Sequence, residues 1–279
     1  MRIPVLTYHG VNILGNRYEE NDHLGLAADL REISRLGYRI VPLSRIVDWH
    51  RGIVEDAKLE NCVAITFDDG SWFDYHDLPH PTCGVQRSLL NILRDFQSEV
   101  GRAAQAGLHA TSFVICSPDA REQLDQNGLI GQGWWGDDWW DAAQKSGLLS
   151  IQCHSWDHVH PDVAAVAQAD NIKGDFSQVA TYAECDIQVR KSADYLASVM
   201  RGHRPDLFAY PYGQSSDYLA QHYFPEYTAQ HGFRAAFTTD ARPVSRSDDI
   251  WRLPRFVFGR DWQSCSELGA LLQETAAVP

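Results

Sequence analysis

Short apolar runs, separated by longer polar or amphipathic stretches, recur from one end of the chain to the other. Ile3 to Thr7, Tyr38 to Leu43, Val63 to Phe67, Ala110 to Cys116, Leu148 to Cys153, Leu207 to Tyr210, Ala235 to Thr239 and Leu253 to Phe258 each read as a strand. Asn21 to Leu36 sets Leu24, Leu26, Leu30, Ile33 and Leu36 at near-helical intervals and stops at Gly37. Thr181 to Arg201 is the clearest helix, with Glu184 and Asp186 early and Arg201 late, the order a helix dipole favours. Further helices are expected over Ser44 to Arg51, Val85 to Gln105, Ala142 to Ser146 and Ser215 to His231, the last interrupted by Pro225, with a terminal helix over 266–275. Strands and helices alternate throughout, so the expected fold is an α/β barrel of parallel strands. No repeat, low-complexity tract or linker divides it, and 1–279 is taken as one domain with its core over about 3–258.

Composition changes this picture mainly by exclusion. A chain of 279 residues suits a single barrel, and no apolar run approaches the ~20 residues needed to cross a bilayer, so no membrane span is expected. The net charge of -13 argues against a nucleic-acid partner or an anionic membrane surface. Six cysteines include no C-x-x-C pair; Cys62, Cys116 and Cys153 lie in or beside strands and are read as reduced, small apolar residues. Met1 to His9 moves straight into a strand without a signal peptide's apolar stretch and cleavage site, so a cytoplasmic location is expected unless a leader has been removed.

The chemistry gathers where strands end. Val63 to Phe67 runs into Asp68, Asp69 and Gly70, and Ile151 to Cys153 runs into His154, Ser155, Trp156, Asp157 and His158. In α/β proteins the carboxyl ends of strands are where sites are built. One carboxylate and two histidines make three protein ligands with room for water, the composition of a catalytic zinc-type site. His154 and His158 are four apart, on one face of a turn leaving the strand. Neighbouring Asp68 and Asp69 point apart if both end a strand, so one can hold a metal while the other faces its water as base. Two loops, 71–81 and 133–141, are crowded with aromatics, and Val159 to Val179 is a long polar stretch suited to a lid.

Thr66-Phe67-Asp68-Asp69-Gly70, the H-S-x-x-H run from His154 to His158, and Phe208-Ala209-Tyr210-Pro211-Tyr212-Gly213 occur in the order of three motifs of the polysaccharide deacetylase family. The chain resembles that family, also called the NodB-homology or carbohydrate esterase 4 group. The resemblance implies a deformed (β/α) barrel in which Asp69, His154 and His158 hold one divalent metal. Zinc is the default, with cobalt, nickel, manganese and iron as alternatives. It also implies Asp68 as general base and the backbone amide of Tyr212 as an oxyanion donor.

One departure redirects the reading. The family's usual arginine two residues before the motif proline is replaced here by Ala209. The Ala-Tyr-Pro-Tyr-Gly variant resembles the circularly permuted poly-N-acetylglucosamine deacetylase branch, whose acid histidine lies near the start of the chain. That makes His9, in Tyr8-His9-Gly10, the general acid, and lets Arg255 in Leu253-Pro254-Arg255-Phe256 stand in for the missing arginine beside Asp68. Trp72, Trp135, Trp139 and Tyr210 are expected to contact the sugar, since broad aromatic faces suit pyranose rings.

The function expected is metal-dependent hydrolysis of an N-acetyl group from an amino sugar or glycan. A metal-dependent amidohydrolase or deformylase acting on a small amide is the alternative, and a catalytically silent glycan-binding module is the third reading.

Overall fold

The structure, a computed structural model, describes residues 1–128, 131–164 and 172–277. Its strands are β1 (Arg2–Ile3), β2 (Val5–His9), β3 (Arg39–Ile40), β4 (Cys62–Asp68), β5 (Leu78–His80), β6 (Gly84–Gln86), β7 (Ala110–Val114), β8 (Leu149–Cys153), β9 (Leu207–Ala209), β10 (Ala235–Phe237), β11 (Val244–Ser245) and β12 (Phe256–Val257). The main sheet runs β10-β9-β8-β7-β4-β2-β12 with β3 beside β4, and every pairing in it is parallel. The amides of Leu253 and Thr238 bond the carbonyls of Ala236 and Leu253, laying the segment before β12 against β10. The sheet therefore curls almost into a ring, the expected deformed (β/α) barrel.

Alternate residues of the strands serve two cores. Leu6, Tyr8, Ile65 and Phe67 pack outward with helical residues such as Leu26, Leu30 and Leu93, while Val5, Ala64, Phe113, Ala209 and Phe237 pack inward, joined by Ile46, Val47 and Trp49. Those last three belong to the helix Leu43–His50. β4 is buried at every residue, as a central strand covered on both faces must be. Register sets His9 opposite Asp68, and Val114 opposite Cys153, so the carboxyl ends of four strands align along one rim.

Several boundaries differ from the sequence expectation. Gly84–Gln86 is an extended strand paired antiparallel with Leu78–His80, and the helix after it is Leu89–Val100, started by the Ser88 hydroxyl accepting the Asn91 amide. Thr181 and Glu184 form a capping box at the head of Tyr182–Cys185, and the helix then passes through a wide π turn, Asp186–Lys191, into Ser192–Val199. Ser215 to His231 breaks into Leu219–Tyr223, Phe224–Glu226 and Thr228–His231 around Pro225. Within the expected lid, 165–171 lie outside the described residues; Phe176 and Val179 are core residues rather than part of a free flap. All six cysteines are free. Among the described residues no helix is long and apolar enough to cross a membrane.

Candidate metal centre and active site

β4 delivers Asp68 as its last residue, and the chain then turns through two left-handed positions, Asp69 (φ 76°) and Gly70 (φ 74°). A side chain at Gly70 would bring its Cβ to 2.4 Å from Val114 Cγ1 and 2.9 Å from Val114 Cα, so only glycine fits against β7 here. β8 ends at Cys153, and the following turn is also left-handed at Ser155, His158 and Val159. Its shape is fixed by the His158 amide donating to the Ser155 hydroxyl at 3.1 Å and the Val159 amide to Asp157 Oδ1 at 3.0 Å.

These turns bring Asp69 Oδ1 to 3.7 Å from His154 Nε2 and 3.6 Å from His158 Nε2. One ligand atom from each of the three residues lies within 4.8 Å of the other two. His154 Nδ1 lies 2.8 Å from the Ala209 carbonyl, which only a protonated nitrogen can satisfy, so Nε2 is left with its lone pair facing the carboxylates. Burial lowers the pKa of His154, partly offset by the nearby Asp68 and Asp69, and burial lowers His158 further still. Two neutral imidazoles and one carboxylate, with a side open to the cavity, fit a divalent ion of the zinc type.

Asp68 stands apart from this group. Arg255 Nη1 and Nη2 grip its two oxygens at 2.7 and 2.8 Å, and Arg255 itself is anchored by the Thr238 carbonyl at 3.1 Å and the Thr66 hydroxyl at 3.2 Å. Both partners are buried. Burial alone would raise the Asp68 pKa; the charge of Arg255, then His154 and the paired hydrogen bonds, outweigh it and bring the group down to about 2. His154 Nε2 lies 3.9 Å from Asp68 Oδ2, so the ionised carboxylate flanks the metal position without joining the ligand triad.

His9 faces Asp68 from β2. Its amide donates to Asp22 Oδ2 at 2.6 Å, and the same oxygen is 3.9 Å from His9 Nδ1, which has no hydrogen-bond partner in the structure. Burial raises the Asp22 pKa to about 7, against the pull of His9 and its amide. Asp22 opens α1 (Asp22–Arg35), and α1 pins this arm three times over: Tyr8 donates to Asp29 at 2.9 Å, His9 to Asp22, and His23 Nε2 meets the Gly10 carbonyl at 2.8 Å.

A cavity of about 300 Å³ joins His9, Asp68, Asp69, His154, His158 and Tyr212. Tyr212 is left-handed (φ 57°) and its ring meets that of His158 edge-on at 4.5 Å, above the ligands. The aromatic assignments divide. Trp135 lines the cavity, and its indole N–H donates to the Asp69 carbonyl at 3.2 Å. Trp139 and Tyr210 are corrected: both are fully buried, Trp139 bonding the Gly136 carbonyl at 3.1 Å and Tyr210 the Trp251 carbonyl at 2.8 Å, so neither face is open to a sugar. Trp72 does not line the cavity; it packs in the loop wall against His76, its amide bonded to the Trp134 carbonyl.

Asp22 escaped the sequence reading, whereas Asp74, grouped with His76 and His80, is expected from the sequence to form local hydrogen bonds within its loop. Asp22 looks like any first-turn acid after the Asn21 cap, and Asp74 like one more ionisable residue in a crowded loop. Asp74 is fully buried, accepts the Ser112 hydroxyl at 2.7 Å, and burial followed by the charges of Asp69 and Asp68 raises its pKa well above the carboxylate range. No short-range spacing marks either one.

The family described as polysaccharide deacetylase matches residues 55–236. No curated protein matches the sequence. Among solved structures, the chain is similar to the Streptococcus pyogenes deacetylase PplD, in complex with acetate, with a TM-score of 0.65 at 18% identity over 98% of both chains. It is also similar to IcaB from Ammonifex degensii, with a TM-score of 0.63 at 20% identity over 98% of this chain and 97% of that one. The BpsB deacetylase domain from Bordetella bronchiseptica gives a TM-score of 0.62 at 15% identity over 92% and 95%.

Proposed function

Because this chain belongs to the polysaccharide deacetylase family, we propose that it hydrolyses N-acetyl groups from an amino-sugar glycan, with Asp68 as general base and His9 as general acid. The observation that carries the assignment is the division of two adjacent carboxylates. Asp69 joins two imidazoles within 4.8 Å, whereas Asp68 is held ionised by Arg255 beside them.

Asp69, His154 and His158 would hold the ion, zinc by default, which supplies Lewis acidity to the acyl carbonyl and to water. Asp68 takes the proton lost by the attacking water. Its low pKa keeps it ready at neutral pH, and Arg255 keeps its oxygens from swinging away. The Tyr212 amide, presented by the left-handed turn, is assigned to the developing oxyanion. His9 supplies the proton that the departing sugar amine requires, so water and amide are converted to acetate and free amine. Trp135 forms a wall and, through its bond to the Asp69 carbonyl, steadies the turn that carries the metal carboxylate.

The test is acetate release from N-acetylglucosamine and its oligomers by chelated, zinc-loaded and cobalt-loaded protein. Acetate that appears only with metal supports the proposal; silence from metal-loaded protein on every oligomer rejects it. A second reading draws on the cavity itself: about 300 Å³ lies at the low end for ligand pockets. A space of that size suits a single small amide as well as one sugar of a chain. Turnover of formamides or small N-acyl compounds in preference to oligomers would favour that reading.

A further inference from the structure

The catalytic cavity is too small for more than about one sugar, and what lies beside it bears on whether the substrate continues. Resting on the deacetylase reading, we infer that the glycan leaves the catalytic cavity past Arg260 and runs on into a second groove along the C-terminal helix Cys265–Ala277, so that several sugars are bound at once.

Arg260 belongs to the wall of both spaces: the catalytic cavity and a larger one of about 710 Å³. It sits on the turn between β12 and that helix, with Phe256 and Asp261 on one side of the groove and Ala270 and Leu271 on the other. The position is built rather than incidental. Arg260 Nη2 donates to the Thr239 carbonyl at 2.6 Å and to Asp261 Oδ2 at 2.7 Å, and Nε donates to Asp261 Oδ1 at 2.9 Å. Asp261 Oδ2 in turn accepts the Val257 amide at 2.7 Å, tying the pair to β12. Arg260 nevertheless keeps 48% of its side-chain surface exposed, presenting a fixed guanidinium plane at the junction.

The chemistry favours a neutral sugar over an anion. Asp261 balances the charge of Arg260, Arg242 is paired with Asp248 at 2.7 Å, and Arg2 in the same groove is offset by Glu267 and Glu274, so the lining offers no excess of positive charge to a phosphate or uronate. Leu271 and Ala270, with only the edge of the largely buried Phe256, supply apolar surface between these polar groups, the mixture that matches a pyranose, with C–H faces and hydroxyl edges. The large space at the opposite end of the strands, lined by His109, Thr111 and Ser150, shares no residue with the catalytic cavity and cannot extend it.

The experiment measures kcat/KM for acetate release from N-acetylglucosamine dimer through hexamer, using zinc-loaded wild type, Ala270→Trp and Arg242→Glu. Ala270 is exposed on its helix, so the indole can fill the groove without entering the core. Binding energy from remote sugars should raise wild-type kcat/KM by roughly tenfold from dimer to hexamer, and the hexamer-to-dimer ratio should fall to about one in Ala270→Trp and partway in Arg242→Glu. Wild-type rates independent of length, or variants that keep the wild-type ratio while melting normally, overturn the groove alone. No acetate from any oligomer overturns the deacetylase reading and this inference with it.

Discussion

Asp68 and His9 face each other across one register position, yet their surroundings differ. Asp68 is buried, gripped at both oxygens by an arginine that is itself tied to Thr66 and Thr238. His9 sits at the cavity with its Nδ1 unbonded and the Asp22 carboxylate 3.9 Å from it. Asp68, which must stand ionised before each turnover to accept the water's proton, is surrounded by fixed opposite charge; His9, assigned to the departing amine, is held only through its backbone amide. The same fold thus builds a rigid side and a compliant side within one cleft.

The sharpest way to break that comparison is Asp68→Asn, which keeps the shape and removes the base. Turnover should fall by about 10³–10⁴-fold while bound zinc, measured by elemental analysis, stays stoichiometric. Activity near wild type would show that Asp68 is only a structural neighbour. Arg255→Met attacks the rigid side through its support. It leaves a buried, unpaired carboxylate, so urea unfolding of the metal-free variant at pH 7 should lose about 3–5 kcal/mol. The sign is checkable with pH. In wild type the pair's stabilisation is present above the ordinary carboxylate range and disappears as pH falls toward about 2; in the variant, where burial without Arg255 raises the Asp68 pKa, the dependence should reverse and stability should recover as pH falls.

On the compliant side, His9→Ala should slow turnover by roughly 10²-fold, with the loss largest for substrates whose departing amine is most basic. Equal loss for all leaving groups would move the acid elsewhere. The smallest effect expected is that of Asp22→Asn, which keeps an acceptor for the His9 amide but cannot ionise. Because the folded-state pKa of Asp22 is raised to about 7, wild type loses stability as pH climbs from about 4 to about 7, as the buried group is forced to ionise. Asp22→Asn should flatten that decline, seen as a melting temperature that changes less with pH across the window, with activity altered only a few-fold.

What the sequence made legible follows from distance along the chain. Asp68, Asp69, His154 and His158 sit within a residue or a single turn of a strand's end, and a strand's end is where an apolar run stops. The Arg255 to Asp68 contact spans 187 positions and was reachable only through resemblance to a permuted family branch. Trp139 and Tyr210 were misread because composition does not reveal which way an aromatic side chain turns. Tyr210 alternates with Phe208 against the same buried cluster, and both rings complete the core. Asp22 escaped, and Asp74 reads as a local loop contact although its partner is Ser112, because burial and not spacing is what distinguishes them. The hairpin Leu78–His80 with Gly84–Gln86 was hidden by its prolines, which the pairing tolerates because this two-stranded piece is all edge.

The rim's unusual backbone has a thermal consequence. Asp69, Ser155, His158, Val159 and Tyr212 all hold left-handed conformations that side-chain-bearing residues resist, at a cost of about 1–3 kcal/mol each. The parallel sheet beneath bears no such load. Gentle heating should therefore relax the turns first and silence the enzyme while its barrel remains intact, and an ion held between Asp69, His154 and His158 would serve as the clasp that postpones this.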